Sequence, residues 1–239
     1  MPRPLVFVLV DGLSRRGALA MPGLAALVAR GEAFRWSVEV AEPTWSRPNY
    51  ATLVSGLSPA RHGITRNEQR QPLDGETLFD TLRQHGLRTA VAGYHWWNEL
   101  VGPRVDGAWY YVADDTPDVV VLDQAERLFA DIHPHFLLVH LMSVDYAGHR
   151  EGGYSLAYQE AAQRLDGHLF PFVSAWQERY PHGAVIIGAD HGMAERGHGG
   201  MSADERVVYY FAVMKPMPGR WPGSQEGVRA FLEALILDC

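Results

Sequence analysis

The amino-acid sequence predicts an α/β fold: a doubly wound, largely parallel sheet with helices on both faces. Three observations lead to this prediction. Apolar segments of strand length alternate with segments of helical periodicity, which is the pattern of repeated β-α-β units. The first strand segment is a continuous apolar run, as expected where helices cover both faces of a sheet. No linker-like stretch or internal repeat divides the 239 residues, so we predict one domain, residues 1–239.

The N-terminal elements are predicted on both sides of a polar loop. Leu5–Val10, apolar and rich in β-branched residues, is the first predicted strand. Pro22–Arg30 has helical spacing, with proline at its start and glycine after its end. Phe34–Val40 alternates in polarity and is predicted as a strand. Glu42–Pro48 is predicted as a loop, followed by a short helix at Asn49–Val54 that ends near a glycine.

The middle of the chain repeats the alternation of helix and strand. Glu76–Gln84 is predicted as a helix because a glycine closes its periodic run. Arg88–Ala92 and Trp109–Val112 have the residue types of strands. Pro117–Asp131 places apolar side chains at the 3.6-residue period of a surface helix.

The C-terminal elements follow the same order. Phe136–Leu141 is a strongly apolar strand segment, and Ser155–Tyr180 supports a long helix with an internal proline that could bend it. Ala184–Ile187 and Val207–Val213 are predicted strands. Gln225–Leu237 is predicted as the closing helix.

Composition limits the functions that this chain can have. Its 21 Lys and Arg against 28 Asp and Glu give a net charge of −7, which argues against a nucleic-acid-binding surface. An anionic substrate stays open, because bound dications reverse the local field. The single cysteine, Cys239, cannot form an intrachain disulfide. The apolar run Leu5–Val10 is too short to span a membrane and lacks a cleavage site, so we predict a cytoplasmic protein without membrane contact.

Three carboxylates follow three separate predicted strands. Asp11 comes directly after Leu5–Val10, Asp145 follows Phe136–Leu141, and Asp190 follows Ala184–Ile187. In open α/β sheets the ligand site lies beyond the carboxyl ends of the strands. We therefore expect these side chains to meet at one edge of the sheet.

Histidines accompany two of these acids. His191 is adjacent to Asp190, and His198 follows within a glycine-rich stretch, so carboxylate and imidazole donors suited to zinc or manganese are close together. Asp145 and His149 are four residues apart around a glycine, so both could converge on one ion. Either pair alone is more often an ordinary surface or core pair. It is their position after buried strands that favours a metal site.

Ser46 lies in the polar segment before the predicted helix Asn49–Val54. A hydroxyl at a helix N terminus lies where backbone N–H groups favour anions. A serine hydroxyl is a weak nucleophile unless a base or a metal activates it, and no histidine is nearby in sequence. The alternative is that Thr44 or Ser46 only caps the helix.

Together these motifs resemble the alkaline phosphatase superfamily, particularly its nucleotide pyrophosphatase/phosphodiesterase and phosphonoacetate hydrolase branches. The matching pieces are Val10-Asp11-Gly12, Pro-Thr-Trp-Ser-Arg-Pro-Asn-Tyr at 43–50, Ser55-Gly56 through Pro59-Ala60-Arg61-His62-Gly63-Ile64, Asp145 to His149, Asp190-His191-Gly192-Met193 and His198-Gly199. They stand in the family's order over most of the chain. The resemblance implies an alkaline phosphatase-like fold. Since the chain is short for this superfamily, it also implies an open site without a sizeable cap domain.

The resemblance further implies a phosphodiesterase with two divalent metal ions, zinc or else manganese. One ion would be held by Asp145, His149 and His198, and the other by Asp11, Ser46, Asp190 and His191. Ser46 would be the nucleophile and form a phosphoseryl intermediate. Asn49 would donate to a phosphate oxygen, with Trp45 as a further substrate contact. The implied partner is a small phosphoester substrate. Oligomeric state is not predicted.

Three alternatives stay open at this point. A sulfatase of the same superfamily is disfavoured because Tyr50 stands where the sulfatase motif has arginine. A phosphomonoesterase or phosphomutase would need a cationic clamp, for which only Arg15, Arg47 and Arg66 are plausible. An inactive metal-binding relative would be expected to have lost a ligand or the nucleophile, and none is missing.

Two other groups of residues are given ordinary roles. His140 is expected to be an ordinary strand residue. His95, Trp96 and Trp97 could stack on an aromatic substrate group, but a core or lid role is the favoured interpretation.

Overall fold

The described part of the protein, residues 2–237 of a computed structural model, is built around one sheet; Cys239 lies outside it. Within these residues the sheet has seven strands in the order β2-β7-β6-β1-β5-β3-β4. The strands are β1 (Leu5–Val10), β2 (Ala33–Glu39), β3 (Thr89–Tyr94), β4 (Gly107–Tyr111), β5 (Phe136–Leu141), β6 (Ala184–Gly188) and β7 (Val207–Val213). β7 is antiparallel to β6 and β2, and the pairs among β6, β1, β5, β3 and β4 are parallel. The predicted fold class is confirmed.

The α-helices connect and cover these strands. They are α1 (Arg15–Leu19), α2 (Pro22–Ala29), α3 (Ser46–Ser55), α4 (Pro59–His62), α5 (Leu78–Gln84), α6 (Trp96–Val101), α7 (Asp118–Ile132), α8 (Ser143–Glu151), α9 (Leu156–Arg179), α10 (Ala203–Arg206) and α11 (Val228–Leu237). No helix among residues 2–237 has both the length and the apolar character needed to cross a bilayer.

Successive residues of β5 show how the two layers of helices enclose the sheet. Phe136 packs against Phe79 of α5, with ring centroids 5.7 Å apart. The next residue, Leu137, lines a small cavity of about 190 Å³ together with Phe129 of α7 and Trp176 of α9. Adjacent strand residues point to opposite faces, so α5 covers one face and α7 and α9 cover the other.

The predicted strands agree with the structure more closely than the predicted helices. Among the strands, β1, β5 and β7 have the predicted bounds. The short helices α1, α4, α6, α8 and α10 were not predicted, and α3 begins at Ser46 rather than Asn49. Pro48 does not prevent that earlier start, because N–H groups in the first turn of a helix have no intrahelical partner. The prediction of a loop over Glu42–Pro48 is therefore wrong for residues 46–48.

Helix α3 is held deep in the structure, and all ten of its residues are buried. Arg47 Nη1 lies 2.6 Å from Glu99 Oε2, and its guanidinium carbon lies 4.5 Å from the centroid of the Trp96 ring. The Arg47 side chain is completely buried and that of Glu99 is 23% exposed, so loss of Glu99 would leave a buried charge uncompensated. These contacts fix α3, and with it Ser46, against α6.

Candidate metal centre and nucleophile

Three carboxylates meet at the carboxyl edge of the sheet, as the sequence predicts. Asp11 follows β1, Asp145 lies in the first turn of α8 after β5, and Asp190 follows β6. Strands β6, β1 and β5 are neighbours at the centre of the sheet. The Gly12 N–H donates to Asp190 Oδ1 at 3.1 Å. A Cβ at position 12 would lie 2.6 Å from Asp145 Oδ1, so glycine permits the close approach of these two loops.

The first group of candidate ligands is Asp145, His149 and His198. Asp145 and His149 lie on the same face of α8 because they are four residues apart on a helix. His149 Nε2 is 3.3 Å from Asp145 Oδ2 and 3.0 Å from His198 Nε2. The three ligand atoms lie within 4.8 Å of one another. The His149 side chain is 51% exposed, so this group opens to solvent.

The second group is fully buried. Ligand atoms of Asp11, Asp145 and His191 lie within 4.8 Å of one another, so Asp145 belongs to both groups. His191 Nε2 is 3.4 Å from Asp11 Oδ1, 3.2 Å from Asp190 Oδ2 and 3.1 Å from Ser46 Oγ. All seven residues predicted to bind metal therefore lie together at this edge. The shared position of Asp145 was not part of the prediction.

Unsatisfied atoms in the site fit divalent cations. Asp11 Oδ1, Asp145 Oδ1 and Asp190 Oδ2 are buried and have no hydrogen-bond partner among the described residues. Buried carboxylate oxygens are costly unless they are hydrogen-bonded or bind a cation. His191 Nδ1 donates to the Gly192 carbonyl at 2.9 Å. That contact keeps a proton on Nδ1, so Nε2 is the nitrogen that could bind a cation once its own proton is lost.

Without a metal ion, the pKa values of the site residues are shifted because several carboxylates are buried close together. Burial raises the pKa of Asp190 well above its usual range, and the charge of Asp11 adds to this effect. Burial alone would also raise the pKa of Asp11, but hydrogen bonds from His140 and His191 lower it well below its usual range. Burial opposes protonation of His191, yet the charges of Asp190 and Asp11 raise its pKa to about 10. Without a metal ion His191 is therefore protonated at pH 7, and an ion that binds Nε2 would displace that proton.

Thr44 joins the loop before Ser46 to the loop that carries His198. Its carbonyl accepts from His198 Nδ1 at 2.7 Å, which leaves His198 Nε2 facing the first group. Its hydroxyl accepts from the Gly199 N–H at 2.9 Å and donates to the Gly200 carbonyl at 3.0 Å. Burial, followed by the charge of His191, lowers the pKa of His198 to about 4, so this imidazole is neutral at pH 7.

Ser46 is the first residue of α3, and the N-cap residue is Trp45, whose side chain makes no capping hydrogen bond. The interpretation of Ser46 or Thr44 as a simple helix cap is therefore wrong. The Ser46 hydroxyl faces His191 instead, and the Thr44 hydroxyl is used by the His198 loop. Ser46 thus combines a helix N terminus with the buried ligand group, which is a suitable place for a nucleophile.

Two asparagines lie near Ser46 in different roles. Asn49 is fully buried, and its Nδ2 donates to the carbonyls of Pro43 at 3.1 Å and Trp45 at 2.8 Å. The structure therefore does not direct this amide toward a substrate, and its role in substrate binding stays a prediction. Asn67 Oδ1 accepts from the Arg47 N–H at 3.0 Å, beside the nucleophile. Sequence reasoning missed Asn67 because it lies in an irregular loop, twenty-one residues beyond Ser46.

The aromatic residues near the site differ in their exposure. Trp45 is 38% exposed, and its ring stands edge-on to His198 at 5.6 Å. Trp97 is fully buried against Tyr50, with ring centroids 4.8 Å apart. The Arg47 guanidinium covers the Trp96 ring. Trp45 is thus partly exposed beside His198, and its contact with substrate stays a prediction, whereas Trp96 and Trp97 have packing roles.

His140 and Tyr50 were missed as site residues. Both are fully buried and contact Asp11 Oδ2, His140 through Nε2 at 3.1 Å and Tyr50 through its hydroxyl. The expectation that His140 is an ordinary strand residue is corrected. A signal was present in the sequence, since His140 is the polar residue within the otherwise apolar strand Phe136–Leu141.

Known proteins resemble this chain along most of its length. A family model described as type I phosphodiesterase/nucleotide pyrophosphatase matches residues 5–120 and 104–205. The human GPI ethanolamine phosphate transferase 2, catalytic subunit, is 26% identical over 243 residues, which cover 93% of this chain and 25% of that protein. Human ectonucleotide pyrophosphatase/phosphodiesterase family member 1 is 26% identical over 179 residues, covering 64% of this chain and 19% of that protein. The chain thus spans about a quarter or less of these relatives.

Solved structures share the fold. The C-terminal periplasmic domain of EcEptC from Escherichia coli, in complex with Zn, has a TM-score of 0.73 at 15% identity, covering 98% of this chain and 82% of that chain. Murine ectonucleotide pyrophosphatase/phosphodiesterase 5 has a TM-score of 0.68 at 16% identity, covering 80% and 58%. Phosphonoacetate hydrolase from Sinorhizobium meliloti 1021 has a TM-score of 0.62 at 18% identity, covering 80% and 57%. The alkaline phosphatase-like fold is confirmed.

The predicted cytoplasmic location is wrong. It followed from a short apolar run and a missing cleavage site at the start of the chain. The relatives point away from the cytoplasm, since they are ectonucleotide enzymes, GPI ethanolamine phosphate transferases and a periplasmic domain. A short apolar run that forms a buried strand carries no information about the compartment.

Proposed function

This chain belongs to the type I phosphodiesterase/nucleotide pyrophosphatase family of the alkaline phosphatase superfamily, and we propose that it cleaves small or exposed phosphodiesters through Ser46 and two divalent metal ions. The observation that carries the proposal is the position of Ser46 Oγ, 3.1 Å from His191 Nε2 at the start of α3. The same His191 nitrogen lies 3.4 Å from the buried carboxylate of Asp11 and 3.2 Å from that of Asp190. Zinc suits the mixed oxygen and nitrogen donors, with manganese as the alternative.

The proposed reaction has two displacements at phosphorus. Ser46 Oγ attacks and forms an O–P bond while the bond to the leaving alcohol breaks; the Ser46 proton passes to solvent, and the alcohol oxygen takes up a proton. Water then attacks the phosphoseryl group and releases a phosphomonoester with Ser46 restored. Two ions held by the candidate ligands would supply Lewis-acid stabilisation of charge and lower the pKa of the attacking hydroxyls. The N terminus of α3 favours the negative charge that accumulates beside it.

Charge around Ser46 favours a diester over a monoester. A phosphomonoester carries one more negative charge and usually requires a cationic clamp. Of the three candidate arginines, Arg47 is buried and paired with Glu99, and Arg15 is 3.8 Å from Asp204. Beside Ser46, the Arg47 N–H donates to Asn67, whose side chain is a neutral amide. Arg66 is exposed next to Asn67 and is the candidate clamp for the monoesterase alternative.

Removing the Asn67 amide is expected to weaken catalysis rather than folding. Since Asn67 Oδ1 already accepts from the Arg47 N–H, its Nδ2 is available to donate to a phosphate oxygen at Ser46. Loss of one such donor typically lowers kcat by about 10²–10³-fold, and we expect this for Asn67→Ala. Asn49→Ala should mainly lower Tm, because that amide holds the carbonyls of Pro43 and Trp45. If Asn49→Ala instead lowers kcat and Asn67→Ala mainly lowers Tm, Asn49 is the residue that donates to the phosphate.

Transfer to an alcohol instead of water is a second candidate function. The relative matched over the greatest share of this chain among those compared above is a GPI ethanolamine phosphate transferase. The same phosphoseryl group would then pass its substituted phosphate to an acceptor hydroxyl. Product analysis in the presence of small alcohols separates the two functions, because a transferase forms a new diester faster than it forms the monoester.

The test of the proposed function is the hydrolysis of bis-p-nitrophenyl phosphate against p-nitrophenyl phosphate by zinc-loaded protein. We expect kcat/KM for the diester to be at least about tenfold higher, a difference of about 1.4 kcal/mol in transition-state stabilisation. A monoester preference would identify the chain as a phosphomonoesterase and favour Arg66 as its cationic clamp. An absence of turnover in protein carrying both ions would favour the inactive metal-binding relative.

A further inference from the structure

Two buried side chains hold one oxygen of Asp11 and leave the other free. The Tyr50 hydroxyl and His140 Nε2 both contact Asp11 Oδ2, the latter at 3.1 Å. Asp11 Oδ1 has no hydrogen-bond partner among the described residues and lies 3.4 Å from His191 Nε2. Asp11, Tyr50 and His140 are all completely buried, so water does not compete for these contacts.

The contacts of His140 define which of its nitrogens donates. The Tyr94 N–H donates toward His140 Nδ1 at 3.4 Å, and the Tyr111 hydroxyl donates to the His140 carbonyl at 2.9 Å while lying 3.4 Å from Nδ1. Because Nδ1 faces a donor, the proton lies on Nε2, and Nε2–H donates to Asp11 Oδ2. A tyrosine hydroxyl is protonated at neutral pH and donates to the same carboxylate oxygen.

We propose that Tyr50 and His140 are positioning residues that form a two-donor clamp on Asp11, so that only Oδ1 is presented to the ion of the buried group. The proposal rests on the proposed two-metal function. Hydrogen bonds to the outer oxygen of a ligating carboxylate fix its orientation, and their loss typically reduces metal affinity by about 10–100-fold. The clamp also connects the buried ligand group with the helix that carries the nucleophile. Tyr50 is four residues after Ser46 on α3 and therefore lies on the same side of the helix.

The first experiment measures equilibrium binding of Zn²⁺ and Co²⁺ to the full chain and to Tyr50→Phe, without substrate, by competition with a chromophoric chelator. Phenylalanine keeps the ring that packs on Trp97 and removes only the hydroxyl. We expect the Kd of one ion to rise by about 10–100-fold while that of the other changes by less than about threefold. The visible absorbance of the Co²⁺ protein should change with the weakened site.

A matched control is Tyr210→Phe. Tyr210 is also completely buried, and its hydroxyl donates to a backbone carbonyl, that of Ala189, at 3.0 Å. This variant should lose stability without a change in either Kd. His140→Gln tests the other donor independently, so the proposal remains testable if Tyr50→Phe does not fold.

Outcomes for the clamp and for the proposed function are separable. Wild-type affinity for both ions in folded Tyr50→Phe and His140→Gln would overturn the clamp and leave the function intact. An equal loss of affinity in Tyr210→Phe would also overturn it, because the effect would then reflect general loosening of the core. If the wild type binds two ions but cleaves no diester, the proposed function fails, whereas the effect of Tyr50→Phe on affinity still decides the clamp.

Discussion

Replacing Ser46 by alanine is expected to lower kcat for diester cleavage by at least about 10³-fold, because the variant has lost the attacking oxygen. The Thr44 hydroxyl, two residues earlier, is not expected to take over. The Thr44 hydroxyl is completely buried, and both its donor and its acceptor capacity are used by the Gly199–Gly200 backbone. Metal content should stay near the wild-type value, since the carboxylates and imidazoles of both groups are unchanged. The measurements are steady-state kinetics and elemental analysis of the same sample.

Ser46→Thr is the matched control, because threonine keeps the oxygen at the start of α3. Its activity should exceed that of Ser46→Ala by at least about 10²-fold. Rapid quenching of the wild type with a diester substrate should also yield protein whose mass increase maps to the peptide containing Ser46. Full activity of Ser46→Ala would contradict the covalent step and favour direct attack by water. In that case the added mass should also be absent.

The sequence was sufficient to predict the sheet and its acidic edge. Strands β1 and β5 are continuous apolar runs, so their bounds and their burial follow from composition alone. The turn from each strand to a carboxylate then places Asp11 and Asp145 at one edge, because parallel strands end on the same side. The adjacency of these strands in the sheet order is confirmed.

Contacts that depend on tertiary packing could not be predicted in the same way. His140 reaches Asp11 across the β1–β5 pair, and Tyr50 reaches it from α3, at sequence separations of 129 and 39 residues. The amides of Asn49 and Asn67 could not be distinguished, because only the folded loop shows which one is used by backbone carbonyls. The short helix α8 was missed because its polar ligands disrupt the apolar pattern on which helix prediction depends.

Removing the Asp145 carboxylate is expected to affect both ions, whereas removing His149 should affect only one. Asp145 is the residue common to both ligand groups. Its Oδ2 is 3.3 Å from His149 Nε2, and its Oδ1 is 3.6 Å from His198 Nε2. Asp145→Asn keeps the shape of the side chain but replaces an anionic oxygen by an amide that does not neutralise a dication. After dialysis, the metal content should fall from about two ions per chain to less than about one ion per chain.

His149→Ala is the variant with which Asp145→Asn is compared. His149 is half-exposed and belongs only to the first group, so the variant should retain about one ion, held by Asp11, His191 and the shared Asp145. Its diester activity should still be largely lost, because the proposed chemistry requires both ions. If Asp145→Asn also retains about one ion, Asp145 serves the first group alone. Its proximity to Asp11 and His191 would then reflect only the close approach of the two loops at Gly12, and the two ions would share no carboxylate.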